Sequence, residues 1–238
     1  KAGQLVDGRV RLFNINASQV QTTSGVQFWS FERLASRLEA IGSTKASLGG
    51  YIELDGQGFI GSESNELAEL TIDGIFTPAE GDSGTRPIPI RARLLPEFRS
   101  GTQLRYLLND EDELGNAINL RRQYGVIKGQ FSLRLARDAE ELKIPPLDTD
   151  VQVAPIRQIV YVIFTQGYRD ALARFGLRQA ESLISARIID TARQMYQGIG
   201  VEFRTERPDD YALYAEVEIT GVDPNGIGLI GYDNTPGK

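Results

Sequence analysis

Apolar and polar positions alternate through much of the first part of the chain. In residues 130–135, Phe131, Leu133 and Leu135 fall on one side while Ser132 and Arg134 fall on the other. That period of two is the signature of a strand with one wet face. Residues 10–15, 51–55, 67–76, 88–94, 103–108, 117–120 and 126–136 read as further short strands. Gly56, Gly58, Gly61, Gly81, Gly84 and Gly101 punctuate the gaps as turn residues. Regularly spaced strands of this kind predict a sandwich-like or barrel-like sheet domain. One segment departs from the alternation. Phe31, Leu34, Ala35, Leu38 and Ile41 recur at intervals of three and four, after Ser30 as N-cap and before Gly42. This spacing predicts a single helix over residues 30–41, packed against one end of the sandwich.

The pattern changes beyond residue 143. Pro145, Pro146 and Pro155 bracket the acidic positions Asp148 and Asp150, a composition that predicts a stiff linker or crossover strand. Residues 159–164 are continuously apolar, as in a strand buried on both faces. Residues 180–197 carry the stripe Leu183, Ile184, Ile188, Ala192 and Met195 at helical spacing, closed by Gly198 and Gly200. Strands over 201–205 and 213–220 follow, separated by a turn at 207–210, and residues 226–232 read as a last short strand or glycine-rich turn. The predicted fold class is therefore α+β. A β-sandwich-like domain with one helix occupies residues 1–145, a proline-rich linker residues 146–155, and a small α/β unit of strand, helix, strand and strand residues 156–238.

Composition narrows the chemistry. The 238 residues include no cysteine and no histidine. That removes disulfides, thiol nucleophiles, thiolate zinc sites, imidazole bases and the Ser-His-Asp triad from these residues. The formal net charge is -6. The densest basic positions are Arg121-Arg122 and the spaced Arg91, Arg93 and Arg99, so a nucleic-acid partner is not expected. The apolar run at 159–164 falls far short of the roughly 20 residues of a membrane span, and none is expected. The absence of cysteine, together with an opening Lys1 in place of methionine, fits a processed or partial chain that is secreted or at the cell surface.

Several short constellations invite a chemical reading. Gly56-Gln57-Gly58-Phe59-Ile60-Gly61 matches GxGxxG, but the alternating residues that follow predict a strand where a nucleotide site needs a helix. Asn109-Asp110-Glu111-Asp112-Glu113 gathers oxygen ligands of the kind calcium prefers, with Asn109, Asp110 and Asp112 as candidate ligands. Asp73 with Asp82 and the turn Asp223-Pro224-Asn225-Gly226 are weaker versions of the same idea. Glu216 and Glu218 share one face of a predicted strand, the arrangement of a carboxylate pair or of a wet strand edge. Trp29 beside Phe28 and Phe31 serves either as a core anchor or as an aromatic binding platform.

From Ile159 onward the order of elements resembles the opening of a metzincin-type zinc peptidase domain. The resemblance runs through the apolar strand at 159–164 and the helix at 180–197. It continues through Val201-Glu202-Phe203-Arg204-Thr205, through residues 211–219, and through Gly228-Leu229-Ile230-Gly231-Tyr232-Asp233. In that family an HExxH helix follows and holds zinc, with its glutamate as base. No histidine is present, so the resemblance carries no catalytic residue onto this chain, and zinc enters only if the protein continues beyond Lys238. Three functional expectations follow. The first is a non-catalytic secreted or cell-surface interaction or structural module, with protein or self-assembly partners. The second is the N-terminal portion of a secreted zinc metallopeptidase-like protein whose active site lies beyond residue 238. The third is a calcium-assisted carbohydrate- or ligand-binding β-sandwich.

Overall fold

The computed structural model describes residues 35–42, 46–61, 63–79 and 86–221 with their side chains, and four N-terminal strands as backbone. The side chains of Phe28, Trp29 and Phe31, together with Asp82, the turn at 223–226 and the segment 226–232, lie outside the described residues. The chain is mostly sheet with few helices, in several antiparallel sheets and one parallel sheet.

The N-terminal strands are β1 (Leu5–Val10), β2 (Phe13–Ile15), β3 (Gln21–Thr23) and β4 (Gln27–Glu32). β1 pairs antiparallel with β4, and β2 with β3. The helix predicted over residues 30–41 does not form. Its first residues belong to β4 and its last to β5 (Arg37–Gly42). A bulge lies behind the spacing over residues 38–41. β5 pairs with β6 (Tyr51–Gln57), and its register slips between Leu38 and Ala40. Leu38 therefore faces Gly56 and Ile41 faces Leu54. Partners two apart on β6 share a face, so the extra residue brings Leu38 and Ile41 to the same side and mimics helical spacing.

β5 and β6 continue through β10 (Gln103–Leu107) to β9 (Glu97–Ser100) as a four-stranded antiparallel sheet. A second antiparallel sheet is built on β7 (Glu66–Pro78) and β11 (Gly125–Arg137), with β8 (Ile88–Leu94) beside β7. β11 has two partners along its other edge, β12 (Glu140–Lys143) at one end and β13 (Leu147–Val153) at the other. Much of the predicted linker is therefore a strand. Pro145 and Pro146 stand just before β13, where a missing N–H breaks no ladder bond. At the middle of the β7–β11 pair, Gly74 lies opposite Gly129. A Cβ on Gly129 would stand 2.3 Å from the Asp73 carbonyl oxygen, so the two backbones approach as only glycine allows.

The alternation read from sequence appears as burial. Phe131, Leu133 and Leu135 are buried, as are Ile90, Ala92 and Leu94, while Arg91 and Arg93 face water. These side chains join Leu54, Leu104 and Tyr106 of the other sheet in one core cluster. Leu114, Ile118 and Leu120 join it from the short helix α1 (Glu113–Ala117) and the turn after it. The strand predicted at 117–120 is thus the end of α1 and a turn.

The remaining chain forms β14 (Gln158–Phe164), α2 (Gln166–Arg174), α3 (Glu181–Met195), β15 (Val201–Arg204) and β16 (Tyr214–Ile219). β14 lies between β15 and β16, and both pairings are parallel. Parallel neighbours need a long crossover, which α2 and α3 supply between β14 and β15. Ile159 and Val162 of β14 are buried with Tyr168, Leu172 and Ile189 of the helices. Ile189 takes the covered position on α3, whereas Leu183 and Met195 of the predicted stripe face solvent. No helix among the described residues is long and apolar enough to cross a membrane.

Every ion pair among the described residues is made by an arginine. Arg134 bonds Glu69, directly opposite on β7, and reaches Glu141 of β12. At the end of the same pair Glu66 bonds Arg137 and accepts the Gly61 N–H at 2.9 Å. The Gly61 N–H, aided by Arg137 and opposed by burial, brings the Glu66 carboxyl from 4.5 down to about 2. A lowered folded pKa means that this stabilisation is complete above the unfolded value and is lost as pH falls through the folded one. Acid unfolding followed by circular dichroism should show stability falling between pH 4.5 and about 2. In Glu66→Gln that slope should flatten and stability at neutral pH should drop.

Candidate functional site

The two parts of the chain meet where the predicted linker ends. Only Ala154, Pro155, Ile156 and Arg157 separate β13 from β14. Ala154 donates its N–H to the Ala46 carbonyl at 2.8 Å, tying the start of the crossing to the β-rich part. The loop between β15 and β16 returns to the same place. Tyr211 bridges Gly50 as an antiparallel partner, Tyr51 donates to the Asp210 carbonyl at 2.9 Å, and Ala212 donates to the Gly49 carbonyl at 2.9 Å. The Tyr211 hydroxyl shares a 2.7 Å hydrogen bond with Ser47 Oγ. Ser47 has 0% exposure, so this partner satisfies a hydroxyl that water does not reach. Gly50 leaves room for the ring, whose Cζ would stand 3.1 Å from a Cβ at that position.

A chain of alternating charge runs past Tyr211. Arg157 bonds Glu202, Glu202 bonds Arg204 at 2.8 Å, and Arg204 closes on both carboxylate oxygens of Asp210. The Arg204 guanidinium also lies 5.6 Å from the Tyr211 ring centroid, within cation–π reach. Burial works against the Glu202 charge, and the Arg204 and Arg157 guanidiniums outweigh it, leaving the carboxyl below its usual range. The Asp210 carboxylate, followed by Glu202, holds Arg204 above its ordinary value against partial burial. Beside this chain lies an open groove of about 570 Å³. Ile156, Ile199, Gly200 and Val201 form its apolar part, and Arg157 and Glu202 stand at its charged wall. With Ser47 sealed beneath Tyr211 and both guanidiniums paired with carboxylates, the junction holds the two parts of the chain together. Ser47, Arg157 and Tyr211 were not among the candidates read from sequence. The one readable signal is Glu202 and Arg204, opposite charges two apart on a strand.

The acidic loop has a definite local role. Asp112 caps α1: its Oδ1 accepts the Leu114 and Gly115 N–H groups at 3.0 Å each. Its Oδ2 accepts Asn109 Nδ2 at 3.0 Å and the Tyr106 hydroxyl. Asn109 Oδ1 in turn accepts the Glu111 and Asp112 N–H groups. Asp110 turns to Arg121 at 2.6 Å, and Glu113 to Arg93. The fold thus brings Asn109 and Asp112 together and pairs Asp110 elsewhere. Among the described residues no three His, Cys, Asp or Glu side chains are grouped to hold a metal. Burial, and then Asp112 as acceptor, pushes the Tyr106 hydroxyl well above the usual tyrosine range. The Arg93 N–H and guanidinium keep Glu113 low against burial.

The other candidates sit apart. The GxGxxG segment ends β6 and crosses to β7 in the other sheet; it opens no helix, and the strand predicted after it is β7. Glu216 and Glu218 are exposed on β16, which among the described residues is an edge strand. Asp73 pairs with Arg91 at 3.7 Å. Compared with known proteins, the chain matches no family model and no curated relative.

Two substitutions probe these arrangements. Tyr211→Phe leaves Ser47 buried without a partner and should cost about 1–3 kcal/mol in urea unfolding. Adding Ser47→Ala should recover part of that loss, since it removes the orphaned hydroxyl. Asp112→Ala removes a helix cap and should cost about 1 kcal/mol by the same measurement.

Proposed function

We propose that this chain is a non-catalytic interaction module in which a sandwich-like β-rich base presents a small α/β unit to a second copy of the same chain. The observation that carries the reading is the groove at the junction. Ile199 in its apolar part is 62% exposed although large and hydrophobic, and Met195, four residues before it at the end of α3, is 77% exposed. A groove lined by exposed large apolar side chains is a natural seat for a partner. The groove is also self-complementary in charge. Arg157 and Glu202 stand side by side, so a two-fold axis sets each against its opposite on the other copy. The tethers through Ala46, Gly49, Tyr51 and Ser47 support this reading, because they fix the α/β unit on its base before any partner arrives. A secreted or cell-surface setting accords with the cysteine-free composition.

A second reading has one observation in its favour. The strand-helix-strand-strand order of β14 to β16, all parallel, accords with the resemblance to a metzincin-type domain. On that reading the chain is the N-terminal portion of a zinc metallopeptidase-like protein. A coding sequence that continues past Lys238 into an HExxH helix would favour it, and a stop codon there would sink it.

Sedimentation velocity tests the first reading. The wild-type chain should associate with rising concentration in the micromolar range. Met195→Glu combined with Ile199→Glu should abolish association and leave the melting temperature within a degree or so, because exposed positions contribute little to folding. A wild type that stays monomeric, or one that hydrolyses casein with or without zinc, would overturn it.

A further inference from the structure

The turn between α2 and α3 carries an exposed aromatic residue between two unpaired cations. Residues 173–179 are all exposed, and Phe175, at 80%, is the most exposed of the large apolar side chains described. The turn is nevertheless well formed. Phe175 donates its N–H to the Ala171 carbonyl, Gly176 to Ala173 at 3.1 Å, and Leu177 to Leu172 at 2.8 Å. Gly176 holds φ at +71°, the left-handed geometry that closes a helix end. The exposure of Phe175 and Leu177 is therefore imposed by backbone bonding, and fraying does not account for it.

The charges around it complete the pattern. Arg174 and Arg178 flank the turn, and neither has a carboxylate partner among the described residues; Arg174 reaches only the Asp170 carbonyl, at 3.5 Å. Of the nearest acids along the chain, Glu181 is paired with Arg169, and the Asp170 carboxylate accepts from Gln166 without closing on Arg174. On the outer side of α3, Leu183 and Arg187 repeat the combination one turn apart, apolar and cationic, both exposed. A chain with net charge -6 thus presents guanidiniums without carboxylate partners beside exposed apolar groups at this turn and on the following helix.

We propose that this turn docks on an anionic lipid surface, with Phe175 and Leu177 seated among the headgroups and Arg174, Arg178 and Arg187 against lipid phosphates and carboxylates. An exposed projecting turn has no walls with which to grip a folded protein, whereas a bilayer interface yields around it. Aromatic and aliphatic tips gain by leaving water there, and arginine lets its charge reach the headgroups while its stem stays apolar. The negative surface potential supplies the complementary charge and orients a protein that is otherwise acidic.

Vesicle flotation tests the assignment. The chain should float with vesicles of phosphatidylserine and phosphatidylcholine and stay behind with phosphatidylcholine alone, and added salt should release it. Phe175→Ser should weaken partitioning about tenfold, the cost of one lost aromatic anchor. Arg174→Gln with Arg178→Gln should remove the preference for the anionic lipid. Both variants should keep the wild-type melting temperature and the Ile199-dependent association. Equal partitioning onto both vesicle types, or flotation unchanged by either variant, would overturn the proposal. So would self-association in the absence of lipid that Phe175→Ser abolishes, which would make the turn a contact between copies.

Discussion

Register along the β7–β11 pair is the constraint on which the rest of the structure hangs. Thirteen residues of each strand face one another, from Gly125 opposite Pro78 to Arg137 opposite Glu66. A shift of one residue would turn Phe131, Leu133 and Leu135 to water and bring Ser132 and Arg134 into the core. The same ladder sets Glu69 opposite Arg134, so the polar face is fixed by the same choice. Because β11 also pairs with β13, that register decides where the chain leaves the sheet at Val153. The α/β unit begins from that point.

The junction then converts a short connection into a fixed one. A four-residue crossing alone would act as a hinge. Here Ala154 is bonded back to Ala46, and the β15–β16 loop returns to Gly49, Gly50 and Tyr51 from the other side. Two separated attachments resist rotation far better than one. The hydroxyl pair of Ser47 and Tyr211 contributes specificity more than strength, because a buried polar group punishes any placement that leaves it without a partner.

Legibility from sequence followed the physics of each element. Strands with one dry face were readable because burial alternates, as at residues 88–94 and 130–135. The helix expected at 30–41 gives way to strands, and over residues 38–41 a bulge reproduces its spacing, which periodicity alone does not separate from a helix. On α3, Leu183 looked like part of the buried stripe, yet Ile189 is the covered residue; a three-stranded sheet shields only a narrow band. The prolines at 145 and 146 signalled an interruption correctly but not that a strand resumes at Leu147. At the acidic loop the residue types were right for metal and equally right for capping. Asp112 beside Asn109 serves the backbone of α1, a local demand that composition does not distinguish. Tyr211 had no local signal, since its partner stands 164 residues away.

The arginine-only ion pairing among the described residues has a consequence for the environment in which the molecule works. Of its 26 basic residues 21 are arginine, and histidine is absent. Guanidinium keeps its proton at any pH a cell or its surroundings reach, and ordinary carboxylates take theirs up only below about pH 5. Between those limits almost nothing on this chain changes charge. Its surface pattern is insensitive to neutral or mildly acidic conditions, while it remains open to ionic strength, which thins every exposed attraction. A compartment would therefore tune this protein's associations through its salt, and acidification of the endosomal kind would pass nearly unnoticed.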